Sequence, residues 1–243
     1  CHLQLMGDEI NENDISNLEY FIIPGIDIES SIKARDFSLA YPSKSYWSAG
    51  LHPHEADGLE DVKQELLSLM QDSDLIGETG LDYYRNLSSK ENQIKNFEFH
   101  INIAEDLNKP LIIHCRDSFS DVFDILSNRN LNNPIILHSW TGGNKWTKKF
   151  VELGVYFSIS GIITYDTAHD LQAAVTKIPT DKLLLETDVP YLAPQPFKGK
   201  RNNPTYIKYT GAKVAELIDL TPNELSKITI TNTNKVMNRE NNE

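Results

Sequence analysis

Cysteine is scarce in this chain: Cys1 and Cys115 are the two among 243 residues. Two thiols exclude a disulfide framework and fit a reducing compartment, and the absence of a CxxC pair removes a zinc ribbon. Long apolar runs are also missing. None approaches the roughly 18 residues of a membrane span, and no signal-peptide pattern is present, so a cytoplasmic protein without a membrane partner is expected. Nothing in the sequence calls for an obligate protein partner either. Basic charge is in deficit, with 23 Lys and Arg against 35 Asp and Glu and a net charge of −12. That balance lacks the basic footprint usual for nucleic-acid binders. The basic residues that stand together are Lys145, Lys148 and Lys149, read as a solvated face, and Lys198, Lys200 and Arg201. Linkers, repeats and low-complexity stretches are absent, so residues 1–243 are read as one domain.

Strand and helix patterns alternate along the chain. Short apolar runs predict strands at 20–25, 45–51, 75–78, 110–114, 134–138, 155–160 and 182–187. Helical patterns cover 59–71, 88–108, 117–127, 145–153 and 170–177, followed by 204–218 and 222–236. In the 88–108 helix, Ile94, Phe97, Ile101 and Ala104 mark the apolar stripe, and Ser88-Ser89-Lys90-Glu91 reads as a capping box. Repeated βα units demand a parallel sheet, and near-continuously apolar strands fit one covered on both faces. The fold class is therefore α/β, a TIM-type (β/α)8 barrel, for which about 250 residues is typical. Seven strands are one short of closure, so the first strand is expected to lie before Cys1. A doubly wound open sheet is the structural alternative.

Several apolar strands stop at a residue able to bind a metal. His2, Glu78, His114, His138 and Asp188 form this set. Period-two alternation puts Ile76 with Glu78, Ile112 with His114, Ile136 with His138, and Glu186 with Asp188 on shared faces. The polar member then reaches the C-terminal rim, where barrel active sites are built. Imidazole and carboxylate together suit zinc, manganese or iron, and a carboxylate-rich site accepts magnesium. Three imidazoles and two carboxylates exceed the needs of one tetrahedral ion, so one or two divalent ions (Mg, Mn or Zn) are expected. Glu78 can bridge two ions. Two ions can clamp the attacking and leaving oxygens of a phosphodiester and lower the pKa of a bound water. Asp188 can take a proton from that water, and Glu186 can orient a ligand imidazole. His52 and His54, in Gly50-Leu51-His52-Pro53-His54, can be ligands by position, but a role toward substrate or phosphate is favoured. Arg116 and Arg201 are candidate phosphate contacts. His100, His169 and Cys115 are read as structural, the last as a buried thiol.

These motifs, in this order, resemble the TatD family of metal-dependent deoxyribonucleases within the amidohydrolase superfamily. The resemblance runs from Cys1-His2-Leu3 through Gly50–His54, Ile76–Tyr84 (IGETGLDYY), Pro110–Asp117, His138–Gly142 and Leu185–Pro194 to Gly199-Lys200-Arg201-Asn202. It implies a distorted (β/α)8 barrel and hydrolysis of DNA phosphodiesters, often as a 3′-to-5′ exonuclease on single strands. It also implies one or two divalent ions held by an HxH pair, a bridging glutamate, two further histidines and an aspartate. Those positions map to His2, Glu78, His114, His138 and Asp188. Members of the wider family act on D-aminoacyl-tRNA, so deacylation of that ester, or another amidohydrolase-type ester or amide hydrolysis, is the alternative reaction. A barrel serving only as a scaffold is the non-enzymatic alternative. Two positions depart from the family pattern. Only the second histidine of the HxH pair is present, and Asn203 stands where a glutamate is usual after Arg-Asn.

Overall fold

A computed structural model describes residues 1–7, 10, 12–129 and 132–238. The chain divides into two compact units: an N-terminal unit of His2–Gln4 and Tyr20–His138, and a C-terminal unit of Cys1, Leu5–Glu19 and Ser139–Glu243. In chain order, α1 (Glu12–Ile15) belongs to the C-terminal unit. The N-terminal unit then follows as β1 (Phe21–Pro24), α2 (Ile28–Ala40), β2 (Ser45–Ala49), α3 (Leu59–Asp72), β3 (Leu75–Asp82), α4 (Lys90–Leu107), β4 (Leu111–Arg116), α5 (Phe119–Ser127) and β5 (Ile135–His138). The C-terminal unit continues with α6 (Asn144–Glu152), β6 (Tyr156–Ile159), α7 (His169–Val175), β7 (Leu183–Leu185), α8 (Ile207–Leu217) and α9 (Pro222–Val236).

Strands β1 to β5 pair side by side in chain order, all parallel. In the C-terminal unit β6 pairs with β7, also parallel. Parallel neighbours require crossovers, and here helices supply them. The βα repeat is that of a TIM-type barrel. Among the described residues, no helix is long and apolar enough to cross a membrane.

Strand β3 runs four residues past its predicted end. Apolar content stops at Glu78, but pairing to β4 resumes after a bulge. Ile76 is opposite Leu111, Thr79 opposite Ile113, Gly80 opposite His114 and Asp82 opposite Arg116. The bulge needs glycine at its centre. Gly77 has φ +120, and a Cβ there would lie 2.5 Å from the Ile112 carbonyl oxygen. Gly50, just past the end of β2, has no room either: its Cβ would come within 2.3 Å of the Gly77 carbonyl carbon.

Helix α2 has no counterpart in the sequence reading, for a physical reason. Its buried face is Ser30, Ser31, Ala34 and Ser38, small and mostly polar, so no apolar stripe marks it. Asp27 caps it by accepting from the Ser30 amide at 2.6 Å. The capping box expected at Ser88–Glu91 does not form. Ser89 is the cap and accepts from the Asn92 amide, while the Ser88 hydroxyl donates to the His54 carbonyl at 2.8 Å. Helix α4 packs on β3 through Gln93, Asn96, Phe97, His100, Ile101 and Ala104. That face includes three polar side chains that the apolar stripe omits.

In the C-terminal unit Trp140, Phe150 and Phe157 form an aromatic core, with ring centroids of Trp140 5.3 Å from both partners. Helix α9 opens with a Thr221/Glu224 capping box. Its buried Asn232 donates to the carbonyls of Thr180 and Leu183, each at 2.8 Å.

Candidate metal centre

The ends of the parallel strands in the N-terminal unit gather five imidazoles and two carboxylates. Glu78 stands at the bulge of β3, its amide donating to the Gly25 carbonyl at 2.7 Å. Around its carboxylate lie His114 Nδ1 at 3.0 Å and His2 Nε2 at 3.4 Å. His52 Nε2 follows at 3.6 Å and His138 Nε2 at 3.8 Å. His114 and His138 are direct neighbours in the β4–β5 register. Glu78 is only 2% exposed. Burial alone would raise its pKa, but the nearby His138, then the hydrogen bonds from His114 and His2, hold it well below the usual carboxylate range.

Hydrogen bonds fix the protonation of two rings. His2 Nδ1 lies 3.0 Å from the Pro24 carbonyl oxygen. A carbonyl cannot donate, so Nδ1 carries a proton there, and Nε2 is the nitrogen that faces Glu78. His52 is the reverse: its Nδ1 accepts from the His54 amide at 3.2 Å, so its Nε2 is a donor toward Glu78. Burial, with the neighbouring His114 adding to it, pushes the His52 pKa down to about 3. Burial opposes the charged form of His114, yet Asp82 and Glu78 on either side raise its pKa.

Asp82, which the sequence reading left unassigned, is fully buried. Its Oδ2 accepts from His54 Nε2 at 2.9 Å and from His114 Nε2 at 3.1 Å. Its Oδ1 accepts the amides of Tyr84 at 3.0 Å and Arg85 at 2.8 Å. Burial raises its pKa, but the His114 bond and the Arg85 amide, joined by His54, bring it below the usual range. The one signal in the sequence was its place inside IGETGLDYY. The apolar strand pattern stops at Glu78, four residues short of it.

Helix α4 sets the His52 segment. His100 Nε2 accepts from the Leu51 amide at 2.9 Å, and Asn96 Nδ2 donates to the Leu51 carbonyl at 2.7 Å. His100 thus acts structurally, as expected, and does so by clamping the peptide that leads into His52.

The donor chemistry fits a divalent cation. Imidazole nitrogen and carboxylate oxygen are the usual ligands of zinc and related ions. Two donors each about 2.1 Å from one tetrahedral ion stand about 3.4 Å apart, and the imidazole nitrogens lie 3.0 to 3.8 Å from Glu78. Ligand atoms of His52, Glu78 and His114 lie within 4.8 Å of one another. A carboxylate this deeply buried needs compensating positive charge, since the desolvation penalty is several kcal/mol per ion.

Arg116, at the end of β4, is exposed. Asp188 belongs to the C-terminal unit, half-buried just beyond β7, and its carbonyl accepts from the Tyr191 amide. Glu186 is buried in the same unit and accepts from the Ser139 amide at 3.2 Å. Arg201 lines an open cavity of about 810 Å³ with Lys200, Tyr165 and Pro190–Ala193. Asn203, the departure from the family pattern, caps the turn Pro204–Tyr206 and donates to Asp14 at 3.1 Å. Cys115 is buried, and burial drives its thiol pKa up to about 12.

A family described as TatD related DNase matches residues 1–238. The uncharacterized metal-dependent hydrolase YabD of Bacillus subtilis is 34% identical over 237 residues, 95% of this chain and 92% of its own length. The uncharacterized metal-dependent hydrolase YcfH of Escherichia coli is 38% identical over 189 residues, 76% of this chain and 71% of its own. The crystal structure of YJJV, a TatD homolog from Escherichia coli, superposes with a TM-score of 0.89 at 25% identity, covering 98% of this chain and 96% of that one.

Proposed function

Because the chain belongs to the TatD family of metal-dependent hydrolases, we propose that it hydrolyses phosphodiester bonds of DNA, as a 3′-to-5′ exonuclease on single strands. The observation carrying this reading is the buried Glu78 carboxylate ringed by His2, His52, His114 and His138. His2, Glu78, His114 and His138 would hold one or two divalent ions, Mg, Mn or Zn. An ion there supplies Lewis acidity toward a phosphoryl oxygen and toward water.

The chain's own residues do the rest. His2 would offer Nε2 to the ion, because the Pro24 carbonyl occupies its other nitrogen. His114 is oriented by Asp82 from its far side, the carboxylate–histidine arrangement that fixes tautomer and ring direction in metal sites. His52, a donor at Nε2, is assigned to a non-bridging phosphoryl oxygen, with His54 held beside it by Asp82. Asp188 is assigned as the proton acceptor from water and as a metal ligand, on its place in the Leu185–Pro194 motif. On the same sequence ground Glu186 orients a ligand, and Arg116 and Arg201 contact phosphates. A reducing cytoplasm is the assigned compartment, in keeping with a chain of only two cysteines.

The test is cleavage of end-labelled single-stranded DNA by purified protein with Mg²⁺, Mn²⁺ or Zn²⁺. Activity should require the metal, and His114→Ala and Asp188→Ala should each lower kcat by about 100-fold or more. Undiminished cleavage by both variants would sink the assignment. Deacylation of D-aminoacyl-tRNA without DNA cleavage would move the substrate from a phosphodiester to a carboxylic ester.

A further inference from the structure

Two adjacent tyrosines follow Asp82, and the fold treats them differently. Tyr83 is pinned: its hydroxyl donates to Asp121 at 2.7 Å, and Lys90 Nζ lies 4.0 Å from its ring centroid. Tyr84 is presented. The residue is 61% exposed, among the most exposed large hydrophobic residues of those described. The Arg116 guanidinium carbon stands 4.0 Å from its ring centroid. Exposing so much aromatic surface has no folding benefit, and the residue's backbone amide is held by the same Asp82 that bonds His54 and His114. Asp82 ties the two together: one oxygen fixes the Tyr84 and Arg85 amides, the other His54 and His114. Asp82 and Arg116 are also direct partners across β3 and β4.

We propose that Tyr84, backed by Arg116, is a stacking platform for the base of the nucleotide flanking the cleaved phosphodiester, so that the substrate is an unpaired strand. A stacked guanidinium keeps its in-plane N–H donors, so Arg116 can support the ring and meet the neighbouring phosphate. A base is free to stack on a protein ring only when it is splayed from a duplex, and such stacking tolerates any base. The single carboxylate of Asp82 keeps the stacked base in fixed register with the histidines. The proposal rests on the nuclease reading above and adds the subsite that selects a single strand.

The test compares a short oligothymidylate with the same chain carrying abasic spacers in place of every base. Affinity is read by fluorescence anisotropy in EDTA, and kcat and KM are read with Mg²⁺. Wild type should bind the thymidylate about ten-fold more tightly, with the difference in KM. Tyr84→Ala should lose that preference, Tyr84→Trp should keep it, and Arg116→Ala should weaken binding of both substrates. A Tyr84→Ala protein that melts as wild type and retains the wild-type preference overturns the platform. So does a wild type that binds both chains equally. Cleavage with the preference unaltered by Tyr84→Ala would leave the nuclease standing and the platform overturned. A Tyr84-dependent preference without cleavage in any metal would support the platform and overturn the nuclease.

Discussion

Asp82 accepts four hydrogen bonds on two oxygens, two from imidazoles and two from backbone amides. A buried carboxylate is tolerated on such terms, since charge-assisted bonds compensate for lost hydration. Asp82→Asn keeps the shape and an oxygen for the Tyr84 and Arg85 amides. It replaces the acceptor shared by His54 and His114 with an amide that can donate, and it removes the charge that holds His114. The fold should survive while metal affinity falls by about 10- to 100-fold, the usual effect of removing a carboxylate behind a ligand imidazole. Calorimetric metal titration of the two proteins checks this, and equal affinities would remove Asp82 from the site. Residues of this kind are hard to read from sequence. His114 and His138 end apolar runs and advertise themselves, whereas Asp82 lies beyond two glycines, on a stretch of β3 that only the bulged pairing to β4 reveals.

At the scale of elements, the strands were legible because each is a short apolar run between turn signals. The helices were legible only where their buried face is apolar. Helix α2 buries serines and went unread; α4 was read, but with its polar buried residues left out. Those residues carry a consequence. His100 is fully buried and neutral, with Nδ1–H donating to the Asn96 carbonyl at 2.8 Å and Nε2 accepting from Leu51. Burial brings its pKa from 6.5 down to about 4, against a smaller upward pull from the Asn96 carbonyl. The unfolded chain takes up this proton near pH 6.5, and the folded chain does not until about pH 4. The sign follows: stability is full above pH 6.5, declines as pH falls through that window, and levels off below it. At about 1.4 kcal/mol per pKa unit, the decline is on the order of 3 kcal/mol. Denaturant melts of wild type and His100→Gln between pH 7.5 and pH 4.5 isolate it, because other groups cancel in the difference. The wild-type advantage should shrink toward acid; a constant difference would mean that His100 titrates equally in both states.

For the whole molecule, the candidate ligands and their order are read from the sequence, and the structure adds which nitrogen of His2 and of His52 is engaged by the backbone. Periodicity cannot supply that, because a tautomer depends on partners such as Pro24 for His2 and the His54 amide for His52. The candidate ligands of the N-terminal unit come from segments far apart in the chain, and in the unfolded state they do not form a site. An ion that binds only the folded arrangement therefore adds RT ln(1 + [L]/Kd) to stability, about 2.7 kcal/mol at 100 times Kd. For a chain of this length each kcal/mol moves the melting temperature by about 2–4 °C. Chelation should then lower Tm by about 5–10 °C in scanning calorimetry, and Mn²⁺, Zn²⁺ or Mg²⁺ added back should restore it. His114→Ala, which removes the ring between Glu78 and Asp82, should show a smaller response to chelator. The ion should also slow amide exchange at Glu78, whose N–H bonds Gly25 beside the ligands, while leaving exchange in α9 nearly unchanged. Identical melts with and without chelator, in protein shown by elemental analysis to have carried metal, would mean that the ion sits somewhere other than the Glu78 cluster.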